Sequence, residues 1–276
     1  PAEPRTTPAE PRTTPAEPRT TPAEPRTTPA EPCTTAARTA RNSLSALLLL
    51  ADGRFPAGAH AHSGGLEAAV ALEGVHDLAG LEAFLSGRSA TVGHVAAAFA
   101  AAACAALRPG GPPWAQGGPS AGPLRTLDDE LEARTPSPAL RTASRRLGRQ
   151  LLRCARLVWP DSTLDELAAV VPCGPHQPVV LGAVCAAAGL DPQAAAWAAA
   201  HDAVVGPATA AIRLLGLDPF AVYALLARMG GQIDSAAAAG AAQVDVPPAD
   251  LPARGTPLLD VSTERHATWE VRLFAS

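Results

Sequence analysis

The sequence predicts an all-α protein, a single bundle-like domain of about eight to ten helices behind a disordered N-terminal repeat tail. Three observations point there. Alanine dominates while aromatic residues make up only 4%, and alanine has the highest helix propensity of any residue. Ser-Pro or Asp-Pro pairs stand at 137–138, 191–192 and 218–219, where a capping side chain precedes a proline in the first helical turn. Strand-like alternation is confined to two short candidates, QVDV (243–246) and WEVRLF (269–274).

Residues 1–42 form the tail. The first 35 are five copies of a heptapeptide, PAEPRTT four times and then PAEPCTT. Two prolines per copy prevent helix propagation, and no apolar seam supports a coiled coil. Such a segment reads as an extended, solvated spacer or PxxP-like ligand, or as a tandem duplication without a role. The folded domain spans 43–276. Asn42 or Ser43 can cap SLSALLLLA, and Asp77 can cap a long helix from about Leu78 to Leu107, weakened by Gly80, Gly87 and Gly93. RPGGPPWAQGGPSAGP (108–123) reads as a loop. Helices then follow from the three capped prolines, and the Gly206-Pro207 pair predicts a kink or division of the one that begins at Asp191. Residues 243–257 carry four prolines and read as a tether, so 243–276 is expected to be a flexible tail ordered by a partner.

Composition removes several function classes. All 22 basic residues are arginine, against 26 acidic residues, so no electrostatic footprint for nucleic acid or a membrane surface is present. Without lysine and without GxxxxGK[ST], the chain has no P-loop for nucleotide hydrolysis. The five cysteines form no CxxC pair, and the histidines form neither HxxxH nor HExxH. With no signal-peptide pattern, a cytoplasmic protein with reduced thiols is expected.

The stretch RFPAGAHAHSGGLE (54–67) concentrates the remaining candidates. His60 and His62 could ligate a metal from a loop, with Cys173 and His176 of CGPHQP as a second pair, although a closed site needs three or four ligands. Ser63 lacks the GxSxG elbow of a nucleophile and reads as a helix cap, with Glu67 favoured at the positive end of the helix that follows. Arg213, in the apolar run AAIRLLGL, is expected to be buried and therefore paired with a carboxylate or carbonyls, or to contact a partner protein.

LSALLLLADGRFPAGAHAHSGGLE (44–67), with anchors Pro56, Gly58, Ser63, Gly65, Leu66 and Glu67, resembles the urease accessory protein UreF family. HQPVVLGAVCAAAGL (176–190), ATAAIRLLGLDPFAVYALL (208–226) and the closing PLLD and RLFAS match the same family in order. The resemblance covers about 43–276 and implies an all-α homodimer that is not an enzyme. It implies a scaffold or chaperone that joins UreD (also called UreH), recruits the GTPase UreG and serves nickel insertion into apo-urease. The complex would handle nickel, with no cofactor held stably by this chain. Two alternatives are a direct nickel carrier through His60 and His62, and a regulator of UreG turnover through Arg213. The resemblance also implies that Pro56, Gly58, His60, Ser63, Gly65 and Glu67 shape a partner surface, with Arg213, and that Arg272 of the tail stabilises the UreD contact. His60 stands where the family commonly has an aromatic, and Ala57 where it has a branched aliphatic.

Overall fold

A computed structural model describes residues 44–117 and 121–275. The repeats and the proposed cap at Asn42 or Ser43 lie outside these residues. Every regular element among the described residues is helical, so QVDV and WEVRLF form no strand. In chain order the helices are α1 (44–51), α2 (Leu66–Leu72), α3 (Leu78–Arg88), α4 (His94–Ala106), α5 (Gly122–Ala133), α6 (Pro138–Val158), α7 (Ser162–Val170), α8 (Gln177–Ala187), α9 (Pro192–Leu215), α10 (Pro219–Arg228), α11 (Gly230–Ala241) and α12 (Pro257–Ala267). Four of the anticipated caps are in place. Asp77 accepts from Gly80 N, Ser137 from Leu140 N, Asp191 from Ala194 N and Asp218 from Phe220 N.

The fold is built around α4. Residues 96–105 are all buried, and Phe99 is the only large side chain among them. One side of α4, through Ala98, Phe99 and Ala102, faces α5, α6, α7 and α8. The other, through Ala97 and Ala101, faces α2, α3, α9, α10 and α11. Contact is most extensive with α9 and α8. Small side chains permit this approach: a Cβ at Gly240 would come within 2.7 Å of Ala98 N, and one at Gly182 would overlap Ala100 O. The run 78–106 is one continuous helix whose glycine-containing middle, Ser89–Gly93, relaxes into a π turn. It is long and apolar enough to cross a membrane, but its most apolar window is 78% buried inside the fold, as befits a core helix.

Two sequence expectations change here. Gly206-Pro207 does not divide α9, which runs unbroken from Pro192 to Leu215. Pro207 lacks the N–H that would pair with Ala203 O, and Arg88 Nε donates to that carbonyl instead, at 2.8 Å. The segment 243–276 is not a free tail. Trp114 Nε1 donates to Val244 O at 2.9 Å, Arg134 to the carbonyls of Pro248, Ala249 and Leu251, and Arg254 to Ala90 O. Beyond this strap α12 packs on α2 and α6. Proline composition suggested a tether, but arginine and tryptophan donors from the body of the fold satisfy its carbonyls.

Candidate functional site

The motif loop 54–67 folds back on itself through three glycines with left-handed backbone, Gly58 (φ 82°), Gly64 (φ 62°) and Gly65 (φ 88°). Gly58 starts the 3-10 turn Ala59–Ala61, and Gly65 occupies the N-cap position of α2. Ser63 was expected to be the cap. It lies two residues earlier, fully buried, and its Oγ accepts from Glu67 N at 3.2 Å, so it still satisfies one donor of the first turn. A Cβ at Gly65 would collide with Leu259 Cδ1 of α12. Gly65→Ala is therefore expected to cost about 2–4 kcal/mol, from the left-handed backbone and the clash together. Urea denaturation checks this, with Gly53→Ala as control, because a Cβ at Gly53 meets nothing within 4 Å.

Glu67 joins this loop to the end of the chain. Its Oε1 accepts from Leu273 N at 2.7 Å; its Oε2 accepts from Phe274 N at 2.9 Å and meets His266 Nε2 at 2.9 Å. Ala275 N donates to Ala61 O at 2.8 Å, closing the junction. Burial alone would raise the Glu67 carboxyl. The Leu273, His266 and Phe274 donors outweigh it and hold the group below the usual carboxylate range. The His266 ring in turn meets the Trp269 edge, with centroids 4.7 Å apart.

Arg213 is exposed, not buried, because the end of α9 reaches the surface. Its guanidinium lies over the Phe274 ring, 5.2 Å from the centroid, while that ring is itself buried. An open groove of about 460 Å³ runs beside this contact, lined by His60, Arg213, Glu270, Arg272, Leu273 and Phe274. The structure thus gathers His60, Arg213 and Arg272 around one groove, with Glu67 anchoring its floor. Pro56 lies outside it, exposed, beside a Phe55 ring that stacks on Trp159.

His60 is exposed and His62 is buried, and burial, Arg146 and His60 together lower the His62 imidazole. Among the described residues no three His, Cys, Asp or Glu side chains stand together as a metal group. His176 is fully buried in a network instead of pairing with the exposed Cys173. Burial lowers its imidazole against the pull of Asp128 and Glu132. The tautomer this geometry selects donates from Nε2 to Glu132 Oε2 at 2.7 Å and accepts the Ser144 hydroxyl at Nδ1, 3.0 Å away. Ser144 Oγ also accepts from Gln177 N, and Asp128 accepts from His176 N at 2.6 Å and from Arg145 at 3.0 Å. This serine–histidine–glutamate chain fastens α5 and α6 to the head of α8. Sequence spacing had not revealed it; the signal available was the acidic DDELE run of α5 near the arginine-rich α6.

Another arginine that the fold surrounds is Arg88. Surrounding protein lowers its pKa to about 10, against the opposing charge of Asp202. Both line an inner cavity of about 210 Å³ with His62, Ser144, Gln177 and Arg254. The Asp202 side chain is open to that space, while the protein crowded around it raises its carboxyl.

The sequence model of the UreF family matches residues 75–230, which include Arg213 but neither the motif loop nor the tail. The chain is 44% identical over 234 residues to the urease accessory protein UreF of Mycobacterium sp. (strain JLS), covering 85% of this chain and 99% of the relative. It is 44% identical over 235 residues to the UreF of Mycolicibacterium vanbaalenii, covering 85% and 100%. With the UreF of Mycobacterium tuberculosis (strain H37Rv) it shares 42% over 239 residues, covering 85% and 99%. The family model covers more than half of the chain and these relatives are matched almost end to end, so the chain belongs to the UreF family of urease accessory proteins.

Proposed function

We propose that this chain acts in urease maturation as a scaffold, joining UreD (UreH) to the GTPase UreG so that nickel reaches apo-urease. It works through protein contacts in the cytoplasm as a homodimer, without catalysis and without a stably held cofactor. The observation that carries this reading is the Glu67 clamp, which fuses the motif loop and the C-terminal tail into one surface with His60, Arg213 and Arg272 at its edge. Arginine and partly exposed aromatic or aliphatic side chains are the groups that anchor protein interfaces.

Tagged chain co-expressed with UreD and UreG is expected to retain both on purification. The Arg213→Ala/Arg272→Ala double variant is expected to recover about tenfold less UreD, the size of a loss at an interface anchor. Normal nickel content in urease made without this chain overturns the reading.

A further inference from the structure

The inner cavity holds two opposite charges that do not meet. Arg88 and Asp202 both line it, and among the described residues neither forms an ion pair. The guanidinium is fixed through Nε, which donates to Ala203 O at 2.8 Å, and no described residue accepts from its two terminal nitrogens. A Cβ at Gly64 would stand 3.0 Å from Nη2, so the bare glycine leaves that nitrogen room. The carboxylate is fixed by Gln177 Nε2, which donates to Oδ2 at 3.1 Å, and no donor among the described residues reaches Oδ1. Each charge is held in position, and each lacks a counter-charge in surroundings that disfavour it. The other charged groups on the wall are engaged: Arg134 with Glu130 and the strap carbonyls, Arg254 with Ala90 O, and Asp260 with the Ser137 backbone.

We propose that this cavity binds one small α-amino acid with an apolar side chain, its carboxylate on Arg88 and its ammonium on Asp202. The terminal nitrogens of a guanidinium match a carboxylate as a fork, and an ammonium offers three donors to an acceptor such as Oδ1. Arg88 is moored to the carbonyl of Ala203, the residue next to Asp202, so both charges stand at the same turn of α9. A guest must therefore carry its own two charges on one carbon, as an α-amino acid does and an ω-amino acid does not. Val92, Val95, Leu131, Leu140 and Leu147 supply the apolar part of the wall. At about 30 Å³ per water the space takes roughly seven waters, the bulk of a valine or leucine. This site requires only the present chain and stands apart from the partner reading above.

Calorimetric titration of the full chain at pH 7 with L-valine and with L-leucine tests it. Saturable binding of one molecule per chain is expected for at least one of them. Three relatives of valine dissect the site without altering the protein. Valinamide lacks the carboxylate, N-acetylvaline lacks the ammonium, and 4-aminobutyrate holds its charges apart; each should bind at least about tenfold more weakly, as for loss of a charge-assisted hydrogen bond. Asp202→Asn is nearly isosteric and keeps an acceptor for Gln177. It should weaken valine about tenfold, with unchanged circular dichroism, and should erase the preference for valine over N-acetylvaline. Arg88→Gln should likewise erase the preference for valine over valinamide; if that variant fails to fold, the valinamide titration of the unsubstituted chain decides the carboxylate half. No saturable binding of either amino acid, or unchanged affinity in Asp202→Asn, overturns the proposal. Binding of valinamide, N-acetylvaline or 4-aminobutyrate as tight as that of the amino acid overturns the assignment of class.

Discussion

Glu67→Ala is expected to release the C-terminal tail and to lower stability by about 2–4 kcal/mol. The carboxylate takes two backbone donors and the His266 ring at once, and deletion strands all three at a partly buried site. Phe274 then loses the backbone bond that seats its ring beneath Arg213. Hydrogen exchange of 257–275, alongside urea denaturation, is the measurement. Unchanged protection of Leu273 and Phe274 amides would show that packing alone holds the tail. The same clamp has a pH signature in the unsubstituted protein. The folded pKa of Glu67 lies below the ordinary 4.5. Its contribution is therefore complete above that value and fades as pH falls through the folded pKa, so protection should drop on acidification below 4.5.

The second large effect is expected at Asp128. Its side chain is 1% exposed, and it binds both the Arg145 guanidinium and the backbone N–H that opens α8. Asp128→Ala leaves a largely enclosed arginine and a buried amide without this partner, and should cost about 3–5 kcal/mol. Arg145 keeps Glu132 and Gly174 O, which places the loss toward the lower end of that range. Asp128→Asn retains an acceptor for His176 N and should recover part of the difference. Chemical denaturation of the two variants side by side measures it; equal stability of Asp128→Ala and the unsubstituted protein would reduce the network to surface decoration.

What the sequence made legible was local. Asp77, Ser137, Asp191 and Asp218 announce helix starts because a cap and its donor lie within three residues of each other. The motif loop was legible as a bend, since its glycines mark left-handed backbone. The junction was not, because Glu67 and His266 are 199 positions apart and no periodicity links them. Arg213 was misread for a related reason. An apolar helix suggests burial on every side, yet that end of α9 reaches the surface, with the Phe274 ring of the tail beneath Arg213. His60 and His62 are adjacent in pattern but divided by the 3-10 turn, one to solvent and one to the interior.

The alanine-lined heart of α4 carries a thermodynamic consequence. Alanine has no rotamers to freeze, so ordering residues 96–105 sacrifices almost no side-chain freedom beyond Phe99 and Cys104. Each such residue also hides little hydrocarbon, so unfolding this layer uncovers less apolar area than a leucine layer would. A smaller heat-capacity increment follows, and with it a broader, flatter dependence of stability on temperature. Close backbone approach, and not bulk, is what binds the centre of this molecule.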